Sequence, residues 1–338
     1  MIRRPAHIAR LAAIPAFLAA AGLALAGCSS SAPTPAGTSA GGGAFTYTDA
    51  RGEVISLDSV PTTVVAQSSV AAALLDDGYQ VAGAYGELTP TDGKLDYQAG
   101  DLDLSQLTVI GSTYGEFDIE KLAGLQPQLI VDYSFDGEGL WYVPAEQASQ
   151  VYAIAPGLAV PGNYPDTTTA IETILDLAGK LGADTSSPAI ASAKSDYDAA
   201  LASVKQTAAS SGLKVLFVSG DADSFYVVNP PQLPEATTLT TAGLDVEGAK
   251  SGDTSQVFTQ LSWEQAGDYA DADVILFDAR IYDSLKDTLA TIPTWTSLPA
   301  VAAGQVYPWY AAAPYSYKSY AGIFQQIADE LSTARDVG

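Results

Sequence analysis

The chain has 338 residues, with 15 Lys and Arg against 39 Asp and Glu, and a formal net charge of −24. A polyanion of this size repels nucleic acid, which is held by basic side chains against phosphates. The single His is His7, the single Cys is Cys28 and the single Met is Met1. No disulfide can form within the chain, and nucleophilic sites that need His or a thiol lose their parts if the first residues are removed.

Taken in chain order, Arg3, Arg4 and Arg10 precede an apolar, Ala-rich run over residues 11–26. This is the layout of a secretory signal peptide over 1–27, and a run of about 16 residues containing Pro15 is short for a membrane span. The run ends Leu25-Ala26-Gly27-Cys28, which resembles a bacterial lipobox. That resemblance implies lipidation of Cys28 and an extracytoplasmic protein anchored to the cell membrane. Loss of the leader leaves 12 basic residues against 39 acidic and no His or Met. The acidic surplus suits either cation attraction or plain solubility. Residues 28–44 combine the Cys with a Ser-, Pro-, Thr- and Gly-rich stretch that reads as a flexible linker.

The remaining chain alternates strand and helix patterns, which predicts parallel α/β units. A hairpin is expected over 45–57, around Asp49-Ala50-Arg51-Gly52. Strands follow at 64–66, 81–85, 108–110 and 128–133, with helices over 69–77, 118–125 and 140–150 and an extended piece at 151–153. Residues 167–181 carry Ile171, Ile174, Leu175 and Ala178 at helical spacing, and a second helix is expected over 189–209. The pattern then restarts, with strands at 214–219, 225–228, 274–277 and 306–309 and helices at 238–243, 263–270 and 317–334. The predicted architecture is α/β: two Rossmann-like lobes, 45–165 and 186–338, joined by one long connecting helix within 166–185, with a ligand cleft between them.

One constellation occurs in both lobes. Asp118-Ile119-Glu120 opens a short helix ahead of Pro127-Gln128-Leu129-Ile130-Val131, and Ser262-Trp263-Glu264 opens another ahead of Asp273-Val274-Ile275-Leu276. Each has a capping residue and a carboxylate in the first helical turn. The helix dipole alone favours acids there, but matched positions in two lobes ask for more. These motifs resemble the siderophore, haem and cobalamin branch of ABC-importer substrate-binding proteins. So do the Asp49-Ala50-Arg51-Gly52 turn with Val60-Pro61 and the Pro293-Thr294-Trp295, Leu298-Pro299-Ala300-Val301 and Gly304-Gln305-Val306-Tyr307 segments. The resemblance runs from about Phe45 to the end. It departs at Gln128, where members usually carry Asp; strand entry does not require a charge. It implies that Glu120 and Glu264 sit on the lobe tips and pair with Arg residues of a permease, and that the rigid connector keeps lobe closure small.

Open α/β sheets bind ligands beyond the carboxyl ends of their strands, and aromatics cluster in the corresponding loops. The candidate ligand-binding residues are Tyr85, Tyr114, Tyr133, Trp141 and Tyr142 in the first lobe and Tyr226, Trp309, Tyr310 and Tyr315 in the second. Trp141, Tyr142, Trp309 and Tyr310 lead, because two adjacent aromatics do not easily both enter a core. Arg280 follows a strand and offers a bidentate donor. No resident cofactor or metal site is expected, and no nucleic-acid partner; a monomer is expected. With so few Arg and Lys, a ferric hydroxamate siderophore suits the chain better than a highly anionic catecholate. Cobalamin and haem stay open as ligands, and a non-transport lipoprotein or a carboxylate-based hydrolase stands as a rival class.

Overall fold

The computed structural model describes residues 43–90 and 94–338. The expected signal peptide, Cys28 and most of the linker lie outside the described residues. The folded part opens with the hairpin, β1 (Phe45–Thr48) antiparallel to β2 (Val54–Leu57). Its turn uses Gly52 at φ +79°, a conformation suited to glycine. The Asp49 carboxylate accepts from the backbone N–H of Arg51 and of Glu53 and also from Ala159 N–H, while the Arg51 guanidinium donates to Gly157 O at 2.6 Å. The turn thus clamps the hairpin onto the edge of the first sheet.

That sheet holds β3 (Val64–Gln67), β4 (Gly83–Tyr85), β5 (Thr108–Val109), β6 (Leu129–Ser134) and β7 (Gly157–Pro161), in the order β5-β4-β3-β6-β7. Every pairing is parallel. The intervening helices are α1 (Ser68–Asp76), α2 (Ile119–Leu125) and α3 (Ala148–Ile154). Side chains alternate across a strand. Val64, Ala66, Leu129 and Val131 therefore enter one core, and Val65 and Ile130 another. Burial on both faces is why these strands read as continuous apolar runs.

The structure differs from expectation at residues 140–154. Helix begins only at Ala148, residues 151–153 are helical rather than extended, and the strand comes later, at β7. The backbone N–H groups of Leu140, Trp141 and Tyr142 donate to Tyr152 Oη, Tyr133 O and the Asp132 carboxylate. These tertiary acceptors hold the three N–H groups, and the backbone runs through turns until the helix starts at Ala148. The strand β7 is an edge strand ending in Pro161, a position where proline is tolerated.

After β7 come α4 (Thr167–Lys180) and α5 (Pro188–Ser211). The helix α4 packs on α1 of the first lobe. The second lobe contains β8 (Lys214–Gly220), β9 (Ser224–Val228), α6 (Pro234–Thr241), β10 (Asp245–Glu247), β11 (Phe258–Ser262), β12 (Val274–Asp278), α7 (Tyr282–Leu289), α8 (Pro293–Thr296), α9 (Pro299–Ala302), β13 (Val306–Trp309) and α10 (Tyr317–Thr333). The helix α4 also meets α6. Its first residue is locked there, with Thr167 Oγ1 2.9 Å from Thr238 Oγ1 and 3.1 Å from the Tyr197 hydroxyl.

The second sheet runs β11-β9-β8-β12-β13. Here β12 is parallel to β8 and β13, whereas β9 is antiparallel to β8 and β11. One edge of β8 is divided: β10 pairs with its first half and β9 with its last. The strands β10 and β11 and the helices α7 to α9 add to the expected elements, and residues 263–269 form a 3-10 rather than an α-helix. One core containing α4, α5 and α10 joins the inner faces of both sheets, so Leu129 and Val131 share it with Val215 and Leu276. The outer face of the second sheet has its own core, built on Phe225, Phe277 and Trp295.

Candidate functional site

In both lobes the parallel strands deliver their carboxyl ends toward the same inter-lobe region. On the second lobe β12 ends at Asp278, which is 1% exposed and accepts from the Ser219 hydroxyl at 3.0 Å. Two residues on, the Arg280 side chain turns back onto it. Its Nε lies 2.9 and 3.2 Å from the two Asp278 oxygens, and one Nη lies at 2.6 Å. Burial works to lower the Arg280 pKa, but the bonds and charge of Asp278 leave it raised above its ordinary value. The guanidinium remains partly solvent-exposed, whereas Asp278 is sealed.

Arg280 faces the first lobe. Its charge acts on Tyr97 and Tyr142, opposing the rise that burial imposes on both phenols; Tyr142 is pushed up to about 12. Tyr97 meets Tyr310 edge-on at 5.0 Å, and its hydroxyl donates to Ala311 O at 2.6 Å. Around Tyr142 stands an aromatic rim: Tyr114 lies edge-on to it at 5.2 Å, and Phe135 meets Trp141 at 5.1 Å. Tyr114, Phe135 and Trp141 are 59%, 44% and 45% exposed. Exposed neighbouring aromatics of this kind offer stiff apolar faces with polar tips.

The rim is held from below by Asp132 on β6. This residue is fully buried, and its carboxylate accepts from Tyr133 N–H at 2.7 Å and Tyr142 N–H at 2.8 Å. Burial raises its pKa to about 7, against the counter-pull of those two bonds. Behind the cleft, Glu235 is also buried. It accepts from the Tyr320 hydroxyl at 2.5 Å and from Tyr315 at 3.5 Å, and burial raises its pKa.

The candidate residues thus divide. Tyr114, Trp141, Tyr142, Arg280 and Tyr310 come together at the cleft. Tyr85 lies in the core, edge-on to Phe117 at 4.9 Å. Tyr133 is buried, with its hydroxyl near Ser69 Oγ at 3.4 Å. Trp309 is packed among Phe217 and Phe258, so of that adjacent pair one ring is core and one is cleft. Tyr315 stacks on Tyr320 at 5.3 Å, away from solvent. Tyr226, half-buried on β9, donates its hydroxyl to Asp221 at 2.9 Å. Tyr97, Phe135, Asp132 and Asp278 were not singled out beforehand. The two acids did have a signal: each interrupts an apolar strand near its carboxyl end.

Glu120 and Glu264 are both exposed in the first turn of their helices. Asp118 caps the first by accepting from Lys121 N–H, and Gln265 reaches back to Ser262 N–H in the second. The Ser262 hydroxyl holds the Glu264 pKa low. Gln128 accepts from the N–H groups of Thr62 and Thr63, and Asp273 accepts from Lys214 N–H at the matching place in the second lobe. The position needs an acceptor, and an amide oxygen supplies one. Among the described residues no group of three His, Cys, Asp or Glu is placed to hold a metal, and no helix is long and apolar enough to cross a membrane.

Two α/β lobes around an aromatic cleft define a two-lobed solute-binding protein. Residues 64–313 match the family model described as periplasmic binding protein, and the chain belongs to that family. Its members are substrate-binding proteins of the extracytoplasmic space. Among solved structures the chain is similar to DesE, a ferric-siderophore receptor protein from Streptomyces coelicolor, with 34% identity and a TM-score of 0.78 over 87% of this chain and all of that one. It also shares the fold of the siderophore periplasmic binding protein from the fuscachelin gene cluster of Thermobifida fusca (22% identity, TM-score 0.59, 80% of this chain and 96% of that one). A further fold match is FhuD2 from Staphylococcus aureus with bound ferrioxamine B (18%, 0.56, 80% and 98%). No curated protein matches.

Proposed function

We propose that this protein captures a ferric siderophore of the hydroxamate type outside the cytoplasm and delivers it to an ABC permease. The observation that carries the reading is the cleft: exposed Tyr114, Phe135 and Trp141 on one wall, and Arg280 with Tyr310 on the other. Aromatic faces supply large, stiff contact area to a ligand's organic hull. Asp278 engages the Arg280 Nε and one Nη, which leaves the remaining guanidinium N–H groups to donate to ligand oxygens such as those of iron-bound hydroxamates. The similarity to DesE supports the substrate class.

Delivery is assigned to Glu120 and Glu264. Exposed carboxylates on short capped helices, one per lobe, suit orientation and rapid encounter with basic permease residues more than tight holding. Cys28 is the proposed lipid anchor, and the protein acts as a monomer by binding rather than by turnover. The test is a titration of the purified protein with ferrioxamine, a ferrichrome, a ferric catecholate, cobalamin and haem, followed by Trp fluorescence and calorimetry. Saturable, tight hydroxamate binding is expected. Selective binding of cobalamin or haem would replace the ligand class.

A further inference from the structure

We infer that Asp278 is a specificity determinant: by neutralising Arg280 it removes the positive charge that an anionic ferric complex would need, and tunes the cleft to neutral or cationic ones. The inference rests on the siderophore reading above.

A guanidinium facing a cleft ordinarily attracts anions. Here the charge is met at 2.6 Å by a carboxylate that is 1% exposed, too deep to swing out to solvent. Ser219 fixes that carboxylate through its hydroxyl, and Arg280 N–H donates to it as well, at 3.1 Å. The pair therefore moves as one neutral unit. The charged groups that act most strongly on Tyr97 and Tyr142 are Arg280, Asp278, Asp96, Asp132 and Glu87. Arg280 is the one cation among them, and the others are all carboxylates. Glu87 stands at the rim itself, accepting from Tyr114 N–H at 3.2 Å. A ferric triscatecholate carries three negative charges, and the one cation acting on Tyr97 and Tyr142 is already compensated by Asp278. A neutral or singly cationic trihydroxamate meets no such penalty and still finds guanidinium N–H donors and aromatic faces. Asp278 lies beneath Arg280 and need not touch the ligand; it acts through the guanidinium.

The test compares three probes on full-length protein: neutral ferrioxamine E, cationic ferrioxamine B and a trianionic ferric triscatecholate. Asp278→Asn keeps the shape of the side chain and removes its charge. Freed of its counter-charge, Arg280 should raise triscatecholate affinity relative to ferrioxamine E by about tenfold or more at low salt. The double variant Asp278→Asn, Arg280→Gln should cancel that gain. The single variant Arg280→Gln leaves the acids unbalanced and should favour ferrioxamine B over ferrioxamine E relative to wild type; it stands as the test if Asp278→Asn does not fold. An unchanged triscatecholate ratio in folded Asp278→Asn overturns the inference. So does a gain that survives in the double variant, or an Arg280→Gln protein whose B-to-E ratio does not move. Wild-type protein that binds none of the three complexes overturns the proposed function and the inference with it, an outcome distinct from the other three.

Discussion

Replacing Asp132 with Asn should convert a pH-dependent strut into a pH-independent one. In the folded protein burial pushes the carboxyl pKa up to about 7, from an ordinary value of 3.8. A carboxyl whose folded pKa is raised takes up a proton on folding. Its contribution to stability is therefore fullest below about pH 4 and declines as pH rises through about 7. At about 1.4 kcal/mol for each unit of pKa the whole decline is on the order of 4 kcal/mol. The Asn side chain has no such titration. It also has one acceptor oxygen where two N–H groups, those of Tyr133 and Tyr142, now find partners. One buried donor is stranded, at a cost of about 1–3 kcal/mol. The variant should thus be the less stable protein near pH 5, and the gap should close or reverse by about pH 8. Urea unfolding at several pH values, read by Trp fluorescence, measures this. Because Tyr142 loses its tether, ligand affinity should also fall several-fold. A stability difference that stays constant across that pH range would refute the assignment of a buried, titrating strut.

Three further outcomes are expected. Changing Glu120 and Glu264 together to Ala should leave ligand affinity and melting temperature unchanged while abolishing uptake in cells; surviving uptake would remove these residues from the docking role. Trp141→Ala should cost ligand affinity about tenfold or more, in line with hot-spot aromatics. Its effect on melting should be small, because the ring is already 45% exposed, and calorimetry with a parallel melt separates the two. Tyr320→Phe removes the 2.5 Å bond to buried Glu235, leaving that acid with Tyr315 at 3.5 Å. Denaturant unfolding should show a loss of about 1–3 kcal/mol.

Much of the fold was legible because parallel strands buried on both faces are short apolar runs, and Val64-Val65-Ala66, Leu129-Ile130-Val131 and Val274-Ile275-Leu276 stand out between amphipathic helices. What escaped were elements without that signature. The antiparallel strand β11 carries Thr259, Gln260 and Ser262, and alternates between buried and exposed. The strand β7 follows Pro156 directly and ends in Pro161. Residues 140–142 look helical by pattern, but the groups that claim their N–H bonds come from Asp132, Tyr133 and Tyr152, which no local reading brings near. At the site the aromatic chemistry was visible, but not its partition between core and cleft. Trp309 and Tyr310 point opposite ways because neighbouring residues at a strand end face opposite sides. The Asp278–Arg280 pair is only two residues apart, yet its meaning depends on a strand end that buries the acid and leaves the base open.

The central claim is capture of a ferric hydroxamate in the inter-lobe cleft. Its most direct test is calorimetric titration of wild-type protein with ferrioxamine, beside a Trp141→Ala, Arg280→Gln variant shown to be folded. Saturable one-to-one binding that the double change weakens by about a hundredfold or more is the predicted result. Wild-type binding that the double change leaves intact would place the ligand elsewhere on the molecule, and no wild-type binding would contradict the assigned ligand class.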